Sequence, residues 1–128
     1  MWYLDSGCSK HMTGNKEILS NFKQKFGGTV RYGNNQFSPI LGYSDVVREN
    51  ITIRKVSYVK GLGHNLFSIR KFSDKGLEVN FKVKRCAVRT DEGKELLVGS
   101  RKRNLYTTDL SDYKVENDVC LLTKASDQ

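Results

Sequence analysis

At 128 residues, 38% of them hydrophobic, the chain has room for one domain whose core stands without disulfides. A single proline and the lack of any apolar run near the ~20 residues of a membrane-crossing helix argue against a disordered, collagen-like or membrane-spanning chain. Twenty-two Lys and Arg against 14 Asp and Glu leave a formal charge of +8, which attracts polyanions without specifying a fold. Cys8, Cys86 and Cys120 are odd in number and form no CxxC, so they read as free thiols of a reducing compartment. With no signal-peptide pattern at the N-terminus, an intracellular location is the expectation.

The first element, Trp2-Tyr3-Leu4-Asp5-Ser6-Gly7-Cys8-Ser9, is a short apolar strand that delivers one carboxylate onto a Ser-Gly turn. An Asp in that place ordinarily caps its own turn. Ile18, Leu19 and Phe22 then have the spacing of a turn or two of helix, with Asn15 as its cap. Residues 29–32 and 37–47 read as the two strands of a hairpin, and Gly33, Asn34 and Asn35 at its tip tolerate positive φ. Pro39 lacks an amide hydrogen, so its strand is expected at an edge or a break.

Residues 50–59 alternate with β-branched side chains and predict another strand, ending at Gly61-Leu62-Gly63. The apolar stretch 64–69 leads into a short helix over 70–75, stopped by Gly76. Strands are predicted at 77–81, 86–89, 95–99 and 104–108, with a turn at Asp91-Glu92-Gly93. Periodicity then fades except at Val119-Cys120-Leu121-Leu122, and 111–128 reads as a partly ordered tail.

Two of these stretches carry a resemblance. WYLDSGCSKHMT, from Trp2 to Thr13, and YVKGLGHNLFSI, from Tyr58 to Ile69, resemble the protease segment of Copia-type (Ty1/copia) LTR retrotransposon Pol polyproteins. Asp5-Ser6-Gly7 is similar to the Asp-Thr/Ser-Gly signature of retroviral-type aspartic proteases. The resemblance implies an all-β, retropepsin-like acid protease barrel with one or two short helices and a C-terminal β-meander extension. The core would span 1–81, the extension 82–110, and 111–128 would be the tail or pre-integrase linker. Asp5 would be catalytic, with Ser6 and Gly7 completing its turn and Gly33, Asn34 and Asn35 forming the tip of a flap. Leu66, Phe67 and Ser68 would form the support segment behind the turn, Ser68 standing where retroviral enzymes carry glycine. The zinc ligands that begin integrase are missing, so no integrase activity is expected.

The chemistry requires two carboxylates close enough to share one proton, and one chain supplies a single Asp-Ser-Gly. A second copy across a two-fold axis would supply the other. A homodimer is therefore the expected active species, each subunit contributing Asp5. Its substrate would be an extended peptide, by resemblance the element's own Gag-Pol polyprotein, in cytoplasmic virus-like particles. No cofactor and no metal are implied. Asp5 lies only four residues after Met1, where the resembling proteases have an upstream strand, so the sequence reads as a segment of a longer polyprotein. Dimerisation is then expected to rest on other surfaces, among them the strands after Leu77.

Three alternatives carry less. Cys8 and His11 have a CxxH spacing, half of a zinc site with no second half. A Cys8–His64 thiol protease fits composition alone. Between Lys82 and Arg103 lie eight basic and three acidic residues, which raises a weak, nonspecific RNA contact. That cluster supports the main competing reading, a catalytically silent, retrotransposon-derived interaction or RNA-binding module that keeps the fold.

Overall fold

The computed structural model describes residues 1–32, 35–48, 51–110 and 120–121. Strands β1 (Trp2–Asp5), β2 (Met12–Thr13), β3 (Ser20–Gln24), β4 (Thr29–Tyr32), β5 (Gln36–Arg48), β6 (Ile51–Val59) and β7 (Asn65–Ser68) precede the one described α-helix, α1 (Ile69–Asp74). After it come β8 (Glu78–Phe81), β9 (Arg85–Arg89), β10 (Glu95–Lys102), β11 (Leu105–Thr108) and β12 (Cys120–Leu121). The fold is all-β, as the alternating pattern predicts. No helix among the described residues is long and apolar enough to cross a membrane.

Strands follow one another across the sheet as β3-β5-β6-β2-β7-β1-β11-β10-β9-β8, with β4 on β5 and β12 on β6. The centre of this order is non-sequential. β7 lies between β1, which it pairs in parallel, and β2, which it pairs antiparallel. The chain thus leaves β1 through the Asp-Ser-Gly turn and re-enters the sheet two places away, on the far side of β7. A residue at the end of β1 is thereby fixed by a strand more than sixty positions later in the sequence.

Burial follows the pleat. Ile51 and Ile53 point into the core of β6, and after a bulge at Lys55 the inward set resumes with Val56 and Val59. That bulge coincides with a register break between Ser44 and Val46 of β5, and Lys55 takes a φ of +61° there. The main core joins Trp2, Leu4, Phe67 and Phe72 to Val88, Leu96 and Leu97, so the strands after α1 bury their inner faces against the same core as β1. β8 to β11 form an antiparallel meander, and its last strand returns to pair with β1 at Trp2↔Thr108 and Tyr3↔Thr107.

The segment after Asn15 departs from expectation. Asn15 caps a turn as predicted, its side chain accepting from the Glu17 amide, but the turn is a 3-10 helix of Lys16–Ile18. Phe22 lies in strand β3, not on a helix. The pairing of Ser20, Lys23 and Gln24 with β5 outweighs a helical spacing that only three apolar residues supported.

β4 and the first residues of β5 form the expected hairpin, in register from Thr29↔Pro39 to Tyr32↔Gln36. The pairing of β5 with β6 begins only at Ile40, so residues 36–39 have a partner on one side alone. Pro39 occupies the place where its missing amide hydrogen costs no ladder bond. The hairpin is a two-stranded arm extending beyond the β5–β6 ladder. Of the tip, Gly33 and Asn34 lie outside the described residues, and Asn35 is exposed with a φ of +58°.

Candidate active site

Asp5 is the last residue of β1, in register with Ser68. Its side chain is half-buried, and its Oδ1 accepts a hydrogen bond from the Gly7 amide at 2.6 Å. The turn therefore points one backbone donor at the carboxylate and leaves Oδ2 for another partner. Ser6 and Gly7 are exposed. A β-carbon on Gly7 would lie 3.1 Å from Asp5 Oδ1, which gives a physical reason for glycine at that place.

Behind the turn, three hydrogen bonds converge on Ser68. Its hydroxyl donates to the Cys8 carbonyl at 2.7 Å and accepts from the Lys71 amide at 3.1 Å, so one oxygen ties the turn down and caps α1. Its amide donates to His11 Nδ1 at 3.0 Å. A glycine in that position could make only the amide bond. Phe67 is fully buried, stacked on Trp2 of β1 at 4.2 Å between ring centroids, while Leu66 is half-buried and pairs with both Tyr3 and Met12. The segment Leu66, Phe67 and Ser68 and the turn Asp5, Ser6 and Gly7 are thus one packed unit.

His11 is the residue whose part the sequence did not disclose. Fully buried against Phe67 and Phe72, it has its pKa lowered to about 3 by burial first and by the Lys71 charge second, so the ring is neutral. Because Nδ1 accepts from Ser68, the remaining proton resides on Nε2. The only sequence signal is its place, three residues beyond Cys8 and directly before the buried Met12 and Thr13.

This geometry gives the residues of the thiol-protease and zinc alternatives other partners. The Cys8 thiol donates to the Asp5 carbonyl at 3.7 Å, and burial, then the Asp5 charge, push its pKa up to about 12. His64 packs edge-on to Tyr3 at 5.3 Å. His11 has its Nδ1 committed to Ser68, and no group of three His, Cys, Asp or Glu side chains gathers at metal-binding distance among the described residues. In the basic stretch, Arg85 pairs with Glu95 and Arg89 with Glu78, both at 2.6 Å, which offsets part of its charge.

A cleft of about 250 Å³ opens between the turn and the arm, lined by Gly7, Cys8, Met12, Thr29, Val30 and Arg31 among others. Residues of β4 line one side and residues following the Asp5 turn the other. An extended peptide can pair with such edges through its own amides and carbonyls. The arrangement therefore combines a half-exposed carboxylate, a rigid backing for it and an adjacent slot.

Residues 2–77 match the family described as Pol polyprotein, beta-barrel domain. Among curated proteins, a Ty5-1 transposon protein of Saccharomyces cerevisiae is 32% identical over 68 residues, which is 53% of this chain and 47% of that protein. The chain spans about half the length of that relative. No solved structure matches the chain significantly.

Proposed function

The chain belongs to the Pol polyprotein beta-barrel domain family, of Ty/copia retrotransposon type, and from that premise we propose that it is the aspartic endopeptidase segment, acting as a homodimer on polyprotein. The observation that carries the reading is Asp5 itself. It sits half-exposed at the end of a central strand, with the Gly7 amide on one carboxylate oxygen and a strand, a helix cap and a buried histidine behind it. A carboxylate that merely capped its turn would not need that backing.

In this proposal two copies meet so that their Asp5 carboxyl groups share one proton. The ionised member takes a proton from a bound water as its oxygen attacks the scissile carbonyl carbon, while the protonated member hydrogen-bonds to the carbonyl oxygen. Collapse of the tetrahedral intermediate breaks the C–N bond, and the leaving nitrogen takes a proton from the dyad. Gly7 and Ser68 hold the turn still through these steps. The Ser6 hydroxyl is exposed and available to the other subunit. The β4–β5 arm would close over the peptide as a flap, Gly33, Asn34 and Asn35 meeting its backbone. Residues 1–81 would form the catalytic core and 82–110 its extension.

The test is cleavage of a polyprotein fragment by wild type and Asp5→Asn, with the dimer fraction measured by sedimentation in the same buffer. Wild type should cleave in proportion to dimer, and the variant should dimerise without cleaving. Equal cleavage by the two proteins removes Asp5 from the chemistry and the assignment with it.

A further inference from the structure

A second cavity, of about 280 Å³, adjoins the cleft and shares Ser9 and Lys10 with it. Its other walls bring Lys25 from just beyond β3, Lys55 from the β6 bulge and Lys71 from α1. Tyr43 and Ser57, paired across β5 and β6, and the buried Ile40 line it as well. None of Lys10, Lys25, Lys55 and Lys71 forms an ion pair with a described residue.

Bringing these cations together is unfavourable in the empty protein. The Lys71 ammonium is held below its ordinary range by burial first, then by the charges of Lys55, Lys75 and Lys10, with Asp74 opposing. Lys55 is fixed at the rim by its backbone. It adopts a φ of +61°, which a non-glycine residue takes up at a cost, and its amide donates to Asp45 Oδ1 at 3.1 Å. Like charges converging from distant chain segments around one hollow describe a site for an anion.

We propose that this cavity is a specificity subsite that takes an acidic side chain, Asp or Glu, of the peptide lying in the neighbouring cleft. The peptide occupant rests on the endopeptidase reading above. Contiguity favours it, because Ser9 and Lys10 wall both spaces and a chain lying past the active-site turn would bring a side chain to the hollow. The Tyr43 ring and Ile40 offer apolar contact to the methylenes of such a side chain, and the ammonium groups meet its carboxylate. A nucleic acid would call for cations strung along a groove to follow successive phosphates, whereas these ring a single hollow.

Binding to the Asp5→Asn protein tests the subsite without turnover. Labelled peptides with one Glu moved stepwise along the sequence are compared, by fluorescence anisotropy, with the same peptides carrying Gln. At one position Glu should bind about tenfold tighter than Gln, and the preference should shrink between ~50 and ~300 mM salt. Substituting both lysines, Lys55→Gln with Lys71→Gln, should erase that preference and leave the Gln peptides unaffected, with circular dichroism reporting an intact fold. Equal binding of Glu and Gln peptides at every position overturns the proposal. So does tighter binding of pyrophosphate or a single-stranded RNA that the same double substitution abolishes, since it gives the hollow to phosphate. Acid preference in a protein whose wild type cleaves nothing retires the endopeptidase reading and leaves the subsite, whereas cleavage indifferent to peptide charge retires the subsite alone.

Discussion

His11 Nδ1 accepts the Ser68 amide hydrogen at 3.0 Å, joining two residues 57 positions apart directly behind the Asp5 turn. The bond fixes the strand that Asp5 pairs with, and the ring packs against both Phe67 and Phe72. His11→Ala would remove both the acceptor and the packing. Leaving a buried amide unsatisfied costs ~1–3 kcal/mol and the cavity adds to it, so a loss of roughly 3 kcal/mol is expected in urea unfolding. His11→Phe keeps volume but not the acceptor and should lose less. A loss under ~0.5 kcal/mol for His11→Ala would show that the bond contributes nothing to the fold.

The same histidine sets a pH dependence of stability. Its pKa is about 3 in the folded protein against 6.5 for a free imidazole, so between those values the unfolded chain binds the proton and the native state does not. Stability from this group is thus fully present above about pH 6.5 and falls as the pH drops toward 3, by up to ~1.4 kcal/mol per unit. Urea midpoints measured at successive pH values from neutral to acid should fall for wild type and fall less steeply for His11→Phe. Parallel curves for the two proteins would remove His11 as the source.

Cys8 adjoins the Asp5 turn, and its thiol is expected to react slowly. With its pKa pushed up to about 12 from 9.0, the thiolate fraction at neutral pH is lower by roughly a thousandfold. Iodoacetamide labelling resolved by mass spectrometry should modify Cys8 at least a hundredfold more slowly in the folded protein than in urea, and Cys8→Ala should keep its peptide-cleaving activity. Rapid labelling of Cys8 in the folded protein would place its thiol in a different environment.

The strands were legible because their side chains alternate, and the Asp5 turn because Asp, Ser and Gly each favour a turn for a separate reason. Gly76, with a φ of +81°, likewise stops α1 where the sequence suggests. What the sequence could not convey is contact between distant segments. His11 reads as half of a zinc site until β7 is laid beside β2, and the lysine-lined hollow combines residues from 10 to 71 with no local pattern. Phe22 lies in a strand where its spacing predicts a helix, because three apolar residues fit a helix and a β3 strand equally well until β5 offers a partner.

Two glycines separate the requirements of the fold from those of the chemistry. A β-carbon on Gly14 would collide with the Leu62 carbonyl oxygen, a backbone atom that cannot move without displacing the turn before β7. Gly14→Ala should therefore destabilise by roughly 3 kcal/mol, at the upper end for overpacking. A β-carbon on Gly7 meets only Asp5 Oδ1, at 3.1 Å, and that carboxylate can shift by a few tenths of an ångström on an exposed turn. Gly7→Ala should leave the urea midpoint nearly unchanged while lowering kcat by about tenfold or more, because small displacements of a reacting group are magnified in the rate. The pairing of the two results is what discriminates. If Gly7→Ala unfolds the protein as Gly14→Ala does, the glycine serves the fold and says nothing about a reaction. If it keeps both stability and rate, the carboxylate it touches is not the one that does the work.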